Sequence, residues 1–149
     1  MRVDHIAIAV NDAESALENY KKILNVDKID TEEVPNEMVK VVILNLQDTR
    51  IELLEPMTNT SPISKFLNER GEGIHHIAIT ADEIEKDVSR AKENGMKFLG
   101  NIRSGSYGRK ITFIHPKSLN GVLVEFCQAP PESHNPNTDP TTTTTTTTT

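Results

Sequence analysis

The sequence predicts an α+β domain made of two βαβββ modules in tandem. The clearest observation is a tetrapeptide, His-Ile-Ala-Ile, which occurs at residues 5–8 and again at 76–79. Each copy lies in a stretch with strand periodicity, and each is followed by an acidic residue suited to capping a helix and by an amphipathic helical stretch. A glutamate also occurs in the last hydrophobic strand of each half, Glu52 in the first and Glu125 in the second.

In the first module, residues 3–10 alternate in a way that buries both faces of a strand, with His5 on one face and Asp4 on the other. Asn11 and Asp12 supply the cap for the helix that follows. The apolar stripe of this helix consists of Ala13, Ala16, Leu17, Tyr20 and Leu24. Three more strands are predicted, at 28–34, 38–46 and 50–54.

A short helix joins the modules, and the pattern then starts again. The Ser-Pro pair at 61–62 predicts the start of the joining helix. Residues 74–80 form the first strand of the second module, and Asp82 is the predicted counterpart of the capping acid Asp12. Gly95 suits the position just after the end of the second helix. Three further strands are predicted, at 97–102, 109–115 and 121–127.

Length and charge exclude several classes of protein. The chain has 149 residues, with a single domain predicted over 1–129 and repeats at about 1–58 and 72–129. A TIM barrel needs about 250 residues, and no apolar run approaches the roughly 18 residues of a membrane helix. The chain carries 16 basic and 22 acidic residues, for a net charge of −6, which argues against binding to nucleic-acid phosphates. The expected partner is a small molecule, with no nucleic acid and no membrane.

The single cysteine and the N-terminal strand pattern predict a cytoplasmic location. Cys127 is the only cysteine, so no disulfide framework is expected and a reducing compartment is indicated. The strand pattern that starts at Val3 leaves no room for a signal peptide. Residues 130–149 are polar and rich in threonine, and they predict a disordered tail to which no function is assigned.

Two glutamates and two histidines predict a metal-binding pocket. A carboxylate in an apolar strand is costly unless a partner compensates its charge, and both Glu52 and Glu125 lie in such strands. His5 and His76 occupy equivalent places in the repeat. If the two modules pack about a pseudo-twofold axis, the four side chains converge. Imidazole and carboxylate ligands suit a divalent transition ion such as Co, Mn, Zn, Fe or Ni, with positions left open for a substrate.

The other candidate residues give weaker evidence of a functional site. His75 is predicted to point to the strand face opposite His76, in a structural or surface role. His115 ends a strand, where a structural hydrogen bond and a place in the pocket are equally compatible with the sequence. Cys127 is expected to pack as a small apolar residue. Phosphate-binding and nucleophile-elbow motifs do not occur, so nucleotide-dependent and acyl-serine chemistry have no support.

Several segments together resemble a known family. They are the two strand copies of His-Ile-Ala-Ile, Ile-Glu-Leu-Leu-Glu-Pro at 51–56, Ser-Pro-Ile at 61–63, and His-Pro-Lys-Ser at 115–118 followed by Gly-Val-Leu-Val-Glu at 121–125. On these motifs the chain looks like a member of the vicinal oxygen chelate superfamily and, within it, most resembles the methylmalonyl-CoA epimerases, over residues 2–129. The resemblance implies that the two βαβββ modules form an incomplete barrel around a metal cleft, and that the protein is a homodimer.

The resemblance also implies roles for individual residues. His5, His76 and Glu125 match the family's metal ligands, and Glu52 matches a fourth position where ligation is direct or mediated by water. Co²⁺ is the expected ion, with Mn²⁺, Zn²⁺, Ni²⁺ or Fe²⁺ as alternatives. Lys40 aligns with a position where some relatives carry a glutamate proposed as a catalytic base.

The implied reaction is the metal-dependent epimerisation of methylmalonyl-CoA at C2, by removal of the α-proton through a metal-stabilised enolate. It requires proton transfer on both faces of the planar intermediate. Glu125 is predicted to serve one face, and Lys40, Glu52 or a metal-bound water the other. Contacts to the CoA phosphates are expected from Lys117, Arg109 and Lys110, and residues 104–108 are expected to form a mobile rim.

Three alternatives use the same modules. A glyoxalase I-like isomerase would share the metal pocket, and a ring-cleaving dioxygenase would prefer two histidines and one carboxylate around Fe(II). A drug-sequestering binding module would rely on aromatic walls, and the chain has no Trp, two Tyr and four Phe.

Overall fold

The computed structural model describes residues 1–131, and the rest of the predicted tail lies outside these residues. Within them the elements follow the predicted order of two βαβββ modules joined by a helix. The strands are β1 (Val3–Ala9), β2 (Ile29–Val34), β3 (Val39–Asn45), β4 (Arg50–Pro56), β5 (Gly73–Thr80), β6 (Phe98–Ser104), β7 (Lys110–Ile114) and β8 (Val124–Gln128). The helices are α1 (Ala13–Lys21), α2 (Pro62–Arg70) and α3 (Ile84–Glu93). Short 3-10 turns occur at Pro35–Glu37, Ser106–Gly108 and Pro116–Leu119.

All eight strands belong to one mixed sheet, which curls into a half-barrel. Their order is β2-β3-β4-β1-β5-β8-β7-β6, so each module contributes four adjacent strands in the same sequence counted outwards from the centre. Within each module the first and last strands pair in parallel, β1 with β4 and β5 with β8. The two modules meet where β1 pairs antiparallel with β5. This arrangement confirms the predicted α+β fold and places a pseudo-twofold axis between the two central strands.

Alternation along β3 divides the core of the first module between the two sheet faces. Val39, Val41 and Ile43 pack on the inner face with α2, whereas Val42 and Leu44 pack on the outer face with α1. α1 begins as predicted, since the carboxylate of its N-cap, Asp12, accepts a hydrogen bond from the Ser15 amide at 3.0 Å.

The predicted capping role of Asp82 in the second module is wrong. Glu83 occupies the N-cap position of α3, and its side chain caps no amide. Instead Asp87, which is buried one turn inside the helix, reaches back and accepts from the Asp82 and Glu83 amides at 2.9 and 3.1 Å. Gln128 of β8 accepts from the Ile84 amide at 2.7 Å. Tertiary packing of α3 on β8 therefore satisfies the Ile84 amide, which a cap at Asp82 would have satisfied locally.

The two outer ends of the curled sheet are held together by polar contacts between the modules. Tyr107, in the turn after β6, donates its hydroxyl to Asp30 at 2.7 Å and its amide to Glu32 at 2.9 Å, both on β2. Arg103 of β6 forms an ion pair with Glu37, next to β3. The segment 104–108 therefore lies at the rim of the half-barrel, tied to the first module. Its mobility stays a prediction.

A search of the helices in residues 1–131 found none with the length and apolar character needed to cross a membrane.

The interior position of Asp87 leads to a stability prediction. Asp87→Ala should lower the free energy of unfolding by about 2 kcal/mol, because two amides at the start of α3 lose a buried charged acceptor. Asp82→Ala, at the position favoured by sequence reasoning, should change it by about 0.5 kcal/mol or less. Urea unfolding followed by circular dichroism measures both values, and equal effects would contradict the reassigned cap.

Candidate active-site cleft

The four side chains predicted to converge lie together, one on each of the four central strands. His5 is on β1, Glu52 on β4, His76 on β5 and Glu125 on β8, and all four are buried. The Nε2 atoms of the two histidines are 3.3 Å apart. Oε2 of Glu125 lies 2.9 Å from Nε2 of His76, and Oε2 of Glu52 lies 3.3 Å from Nε2 of His5.

Strand register explains this convergence. In the β1–β5 pair, His5 lies opposite Ala78 and Ala7 lies opposite His76. The same alanines pair with the glutamates, because Ala7 lies beside Glu52 on β4 and Ala78 beside Glu125 on β8. Residues paired across strands share a sheet face, so all four polar side chains point to the concave side. Ala7 and Ala78 are fully buried between them and are small enough to leave space at the centre.

This group of donors fits a divalent ion. One atom each from His5, His76 and Glu125 lies within 4.8 Å of the other two, close enough for a single ion bound at the usual distance of about 2 Å to contact all three. Oε1 of Glu52 is buried and accepts no hydrogen bond among the described residues, although Nη2 of Arg50 lies 3.3 Å away as an ion-pair partner, so this oxygen keeps acceptor capacity for an ion or for a water bound to it. Two imidazoles and two carboxylates form a nitrogen and oxygen donor set typical of transition ions.

The two symmetry-related glutamates differ in their electrostatics. Burial raises the pKa of Glu52 above its ordinary value. Burial acts on Glu125 in the same direction, but the hydrogen bond and positive charge of His76 hold the pKa of Glu125 below its ordinary value. Glu125 is therefore the more readily ionised of the two.

A charged cluster under the cleft, which sequence reasoning missed, orients His5. Oδ2 of Asp4 lies 2.8 Å from Nδ1 of His5. The same oxygen forms ion pairs with Arg50 and Arg109. Burial alone would raise the pKa of Asp4, but the hydrogen bond from His5 and the charges of the two arginines lower it to about 2. An ionised Asp4 holds the proton of His5 on Nδ1 and directs Nε2 into the cleft, as outer-shell carboxylates do at metal sites. The signal in the sequence was an acid beside a strand histidine, at a position predicted to be buried.

The predicted placement of His75 on the opposite strand face is wrong. Ala7 of β1 pairs with His76 while the next residue, Ile8, pairs with Ile74, so His75 is the extra residue of a β-bulge. The bulge interrupts the alternation and lets His75 line the same cleft. Its Nδ1 lies 2.8 Å from Nδ1 of His76. Burial and the neighbouring His76 lower the pKa of His75 to about 3, so the neutral ring can accept a hydrogen bond from Nδ1 of His76.

The four polar side chains open into a cavity of about 380 Å³, which we call the main cavity. Both modules contribute to its largely apolar wall, in which Val41, Leu54, Phe113 and Leu123 take part. Glu37 and Arg103, the ion pair that joins the modules, also line it. Neither was singled out from the sequence, because Glu37 lies in a turn between strands and Arg103 on a strand with weak periodicity.

Lys40, predicted as a candidate base, lies on the other side of the sheet. It sits between inner-face residues of β3, so strand alternation directs it outwards, and its Nζ is 3.7 Å from Oε1 of Glu14 on α1. The geometry therefore corrects the prediction that Lys40 acts in the cleft.

The three cations predicted to contact CoA phosphates do not line the main cavity. Arg109 is largely buried against Asp4, and Lys110 forms an ion pair with Glu85 on α3. Lys117 lies in the 3-10 turn before β8, where its amide donates to Nδ1 of His115 at 3.0 Å. This hydrogen bond favours the structural interpretation of His115. The charges of Arg109 and Lys110 are compensated within the fold, which argues against the predicted contacts.

Comparison with known proteins identifies related sequences and structures. Residues 4–113 match the model of the glyoxalase/bleomycin resistance protein/dioxygenase superfamily. A human mitochondrial methylmalonyl-CoA epimerase is 40% identical over 130 residues, which cover 86% of this chain and 74% of the human protein. An ethylmalonyl-CoA/methylmalonyl-CoA epimerase from Cereibacter sphaeroides is 38% identical over 130 residues, covering 85% of this chain and 97% of that protein. A variant of Streptomyces coelicolor methylmalonyl-CoA epimerase, solved in complex with 2-nitronate-propionyl-CoA, superposes with a TM-score of 0.83 at 33% identity and covers 87% of this chain and 97% of its own.

The charged cluster under the cleft should contribute strongly to stability. Asp4→Ala should lower the free energy of unfolding of the metal-free protein by about 3 kcal/mol, because it leaves the largely buried Arg109 without its carboxylate and leaves Arg50 with Glu52 alone. Asp48→Ala, in the exposed turn before β4, is the matched control and should change it by about 0.5 kcal/mol or less. Urea denaturation in the presence of EDTA measures both, and a loss below about 1 kcal/mol for Asp4→Ala would show that the arginines are solvated instead.

Proposed function

Because the chain belongs to the glyoxalase/bleomycin resistance protein/dioxygenase superfamily and, within it, to the methylmalonyl-CoA epimerases, which are isomerases, we propose that it interconverts the two C2 epimers of methylmalonyl-CoA with the help of a bound divalent ion. The observation that carries the proposal is the convergence of His5, His76 and Glu125 at the end of a largely apolar cavity. The names of the relatives favour this reaction over the glyoxalase-like, dioxygenase and ligand-sequestering alternatives.

His5, His76 and Glu125 would hold the ion, with Glu52 as a fourth ligand or as the partner of a water bound to it. Co²⁺ is the ion proposed first, and the homodimer expected from the resemblance belongs to the same proposal. Such an ion supplies positive charge next to the oxygen atom on which negative charge develops when the α-proton of the thioester leaves. Asp4 and His75 keep the two imidazoles oriented with Nε2 towards this position, and the apolar wall of the cavity excludes water.

Glu125 is proposed as the acid/base group for one face of C2. It is buried, its pKa is held below the ordinary value by His76, and a carboxylate in that state can accept a proton.

Glu37 is proposed for the other face, in place of Lys40. It lines the main cavity and approaches from the first module, whereas Glu125 belongs to the second. The ion pair with Arg103 favours an ionised Glu37 and restricts the positions that its side chain can take. Epimerisation needs one proton removed and another delivered on the opposite face, which two carboxylates from different modules could provide.

Metal binding should depend on both histidines. The wild-type protein should retain about one equivalent of Co²⁺ per chain after desalting, while His5→Ala and His76→Ala should each lose affinity by about 100-fold or more, since each removes one ligand. Elemental analysis and calorimetric titration with Co²⁺, repeated with Mn²⁺, Zn²⁺, Ni²⁺ and Fe²⁺, measure this. His115→Ala, outside the cleft, should bind like wild type. Folded histidine variants that bind Co²⁺ at wild-type stoichiometry and affinity would refute the proposed ligands.

Solvent exchange at C2 should separate the two proposed carboxylates. In protein that elemental analysis shows to retain its metal, Glu125→Gln and Glu37→Gln should each lower epimerisation by about 10²-fold or more, yet each should still exchange the α-proton of one epimer with deuterium, because the remaining carboxylate serves one face. Nuclear magnetic resonance of each pure epimer in D₂O follows the exchange, and the two variants should prefer opposite epimers.

Glu33→Gln, at an exposed position on β2, provides the control and should exchange both epimers at the wild-type rate. Wild-type exchange of both epimers by Glu37→Gln would remove Glu37 from the mechanism. A wild-type protein that isomerises a hemithioacetal and leaves methylmalonyl-CoA unchanged would overturn the proposed function itself.

A further inference from the structure

The carboxylate of Glu37, at the wall of the main cavity, is held by a single residue of the other module. Nε of Arg103 donates to Oε1 of Glu37, and Nη2 of Arg103 donates to Oε2 at 3.3 Å. Among residues 1–131, Glu37 accepts no other side-chain hydrogen bond and forms no other ion pair. A guanidinium that binds both oxygens of a carboxylate fixes its plane as well as its position. The orientation of Glu37 therefore depends on Arg103.

An irregularity of β6 brings Arg103 to this place. Leu99 pairs with Phe113 and Arg103 pairs with Ile111, so three residues of β6 face one residue of β7. In an uninterrupted antiparallel ladder Arg103 would instead lie opposite Arg109, which comes before β7 begins. Phe113 and Ile111 both line the main cavity, and paired residues share a sheet face. The bulge therefore moves Arg103 back over the cavity.

The guanidinium of Arg103 is supported on its other sides as well. Its central carbon lies 5.2 Å from the centre of the Phe113 ring. Nη1 lies 3.4 Å from the carbonyl oxygen of Asn101 and 3.5 Å from that of Leu99. All three guanidinium nitrogens thus face acceptors, two of them the oxygens of Glu37. A side chain held in this way is a rigid support for its carboxylate partner.

The two carboxylates proposed to serve the two faces of C2 have separate supports. Glu125 on β8 pairs with His76 on the neighbouring strand β5, within the second module. Glu37 belongs to the first module and pairs with Arg103 of the second. Loss of Arg103 therefore disturbs one of these carboxylates and leaves the other with its own partner.

We propose that Arg103 is a positioning residue for proton transfer on one face of C2. In this step the C2–H bond breaks, its electron pair remains in the enolate, and the proton passes to the carboxylate of Glu37. Arg103 transfers no proton and acts through Glu37, which it holds in the geometry that the transfer requires. The inference rests on the proposed function, and it makes one of the two proton transfers dependent on closure of the half-barrel.

The test measures deuterium exchange at C2 for each pure epimer in D₂O, with protein that elemental analysis shows to retain its metal. Arg103→Ala should slow exchange by about 10-fold or more for the epimer that Glu37→Gln also impairs, because a displaced base reacts less readily. Exchange of the other epimer should stay within about 2-fold of wild type. Arg103→Lys should lose less on the same epimer, since an ammonium keeps the charge but cannot fix both oxygens in one plane.

A double variant separates action through Glu37 from a general effect. Arg103→Ala/Glu37→Gln should exchange both epimers like Glu37→Gln alone, because a residue that acts only through Glu37 has nothing further to lose. Lys92→Ala is the matched control, since its Nζ lies over the ring of Phe98 at 5.7 Å, outside the main cavity. This variant should exchange both epimers at the wild-type rate.

Equal slowing of both epimers by Arg103→Ala would indicate a structural role, and wild-type exchange of both would show that Glu37 keeps its place unaided. Either result would overturn the inference, as would a double variant slower than Glu37→Gln on both epimers. Should Arg103→Ala fail to fold, the same comparison applies to Arg103→Lys. Failure of the proposed function is distinct, because the wild-type protein would then exchange neither epimer.

Discussion

The antiparallel pairing of β1 with β5 is the contact on which the rest of the molecule depends. It is the junction between the two modules, and its register brings His5 and His76 to within 3.3 Å of each other. The parallel partners of these strands then add Glu52 and Glu125 from either side. A shift of one residue in the central register would send the histidines to opposite faces of the sheet, because side chains alternate along a strand. The same hydrogen bonds therefore hold the fold together and assemble the candidate site.

The buried ionisable groups need partners of opposite charge, and each partner is itself paired with a further residue. Asp4 orients His5 and is itself neutralised by Arg50 and Arg109, whose guanidinium groups lie over Tyr107 at 5.2 and 5.4 Å. Tyr107 belongs to the second module and donates hydrogen bonds to Glu32 and Asp30 of the first. The contacts that close the half-barrel therefore belong to the same network as the residues that orient His5. At the centre, Glu52 is paired with His5 and Arg50, and Glu125 with His76, so two imidazoles and two carboxylates face one another in the arrangement that a divalent ion can bind.

Sequence reasoning succeeded where a residue's role follows from periodicity, and it failed where two distant segments decide the outcome. The alternation around His5 and His76 was enough to predict both strands and their shared face. Asp82 was assigned the cap by a local rule, whereas the Ile84 amide that such a cap would bind is satisfied by Gln128 on the distant strand β8. Lys40 was placed in the cleft by similarity of position alone, while the alternation of β3 directs it towards α1.

The sequence by itself determined the two modules, the order of their elements, and the identity of the four converging side chains, because a repeated pattern of apolar and polar residues specifies strands and helices locally. Only the tertiary structure decided which further groups join them. The bulge that directs His75 inwards arises from pairing between β1 and β5, and the approach of Glu37 to Arg103 arises from the curl of the whole sheet. Neither can be read from a local pattern, since each depends on how strands separated by many residues register against one another.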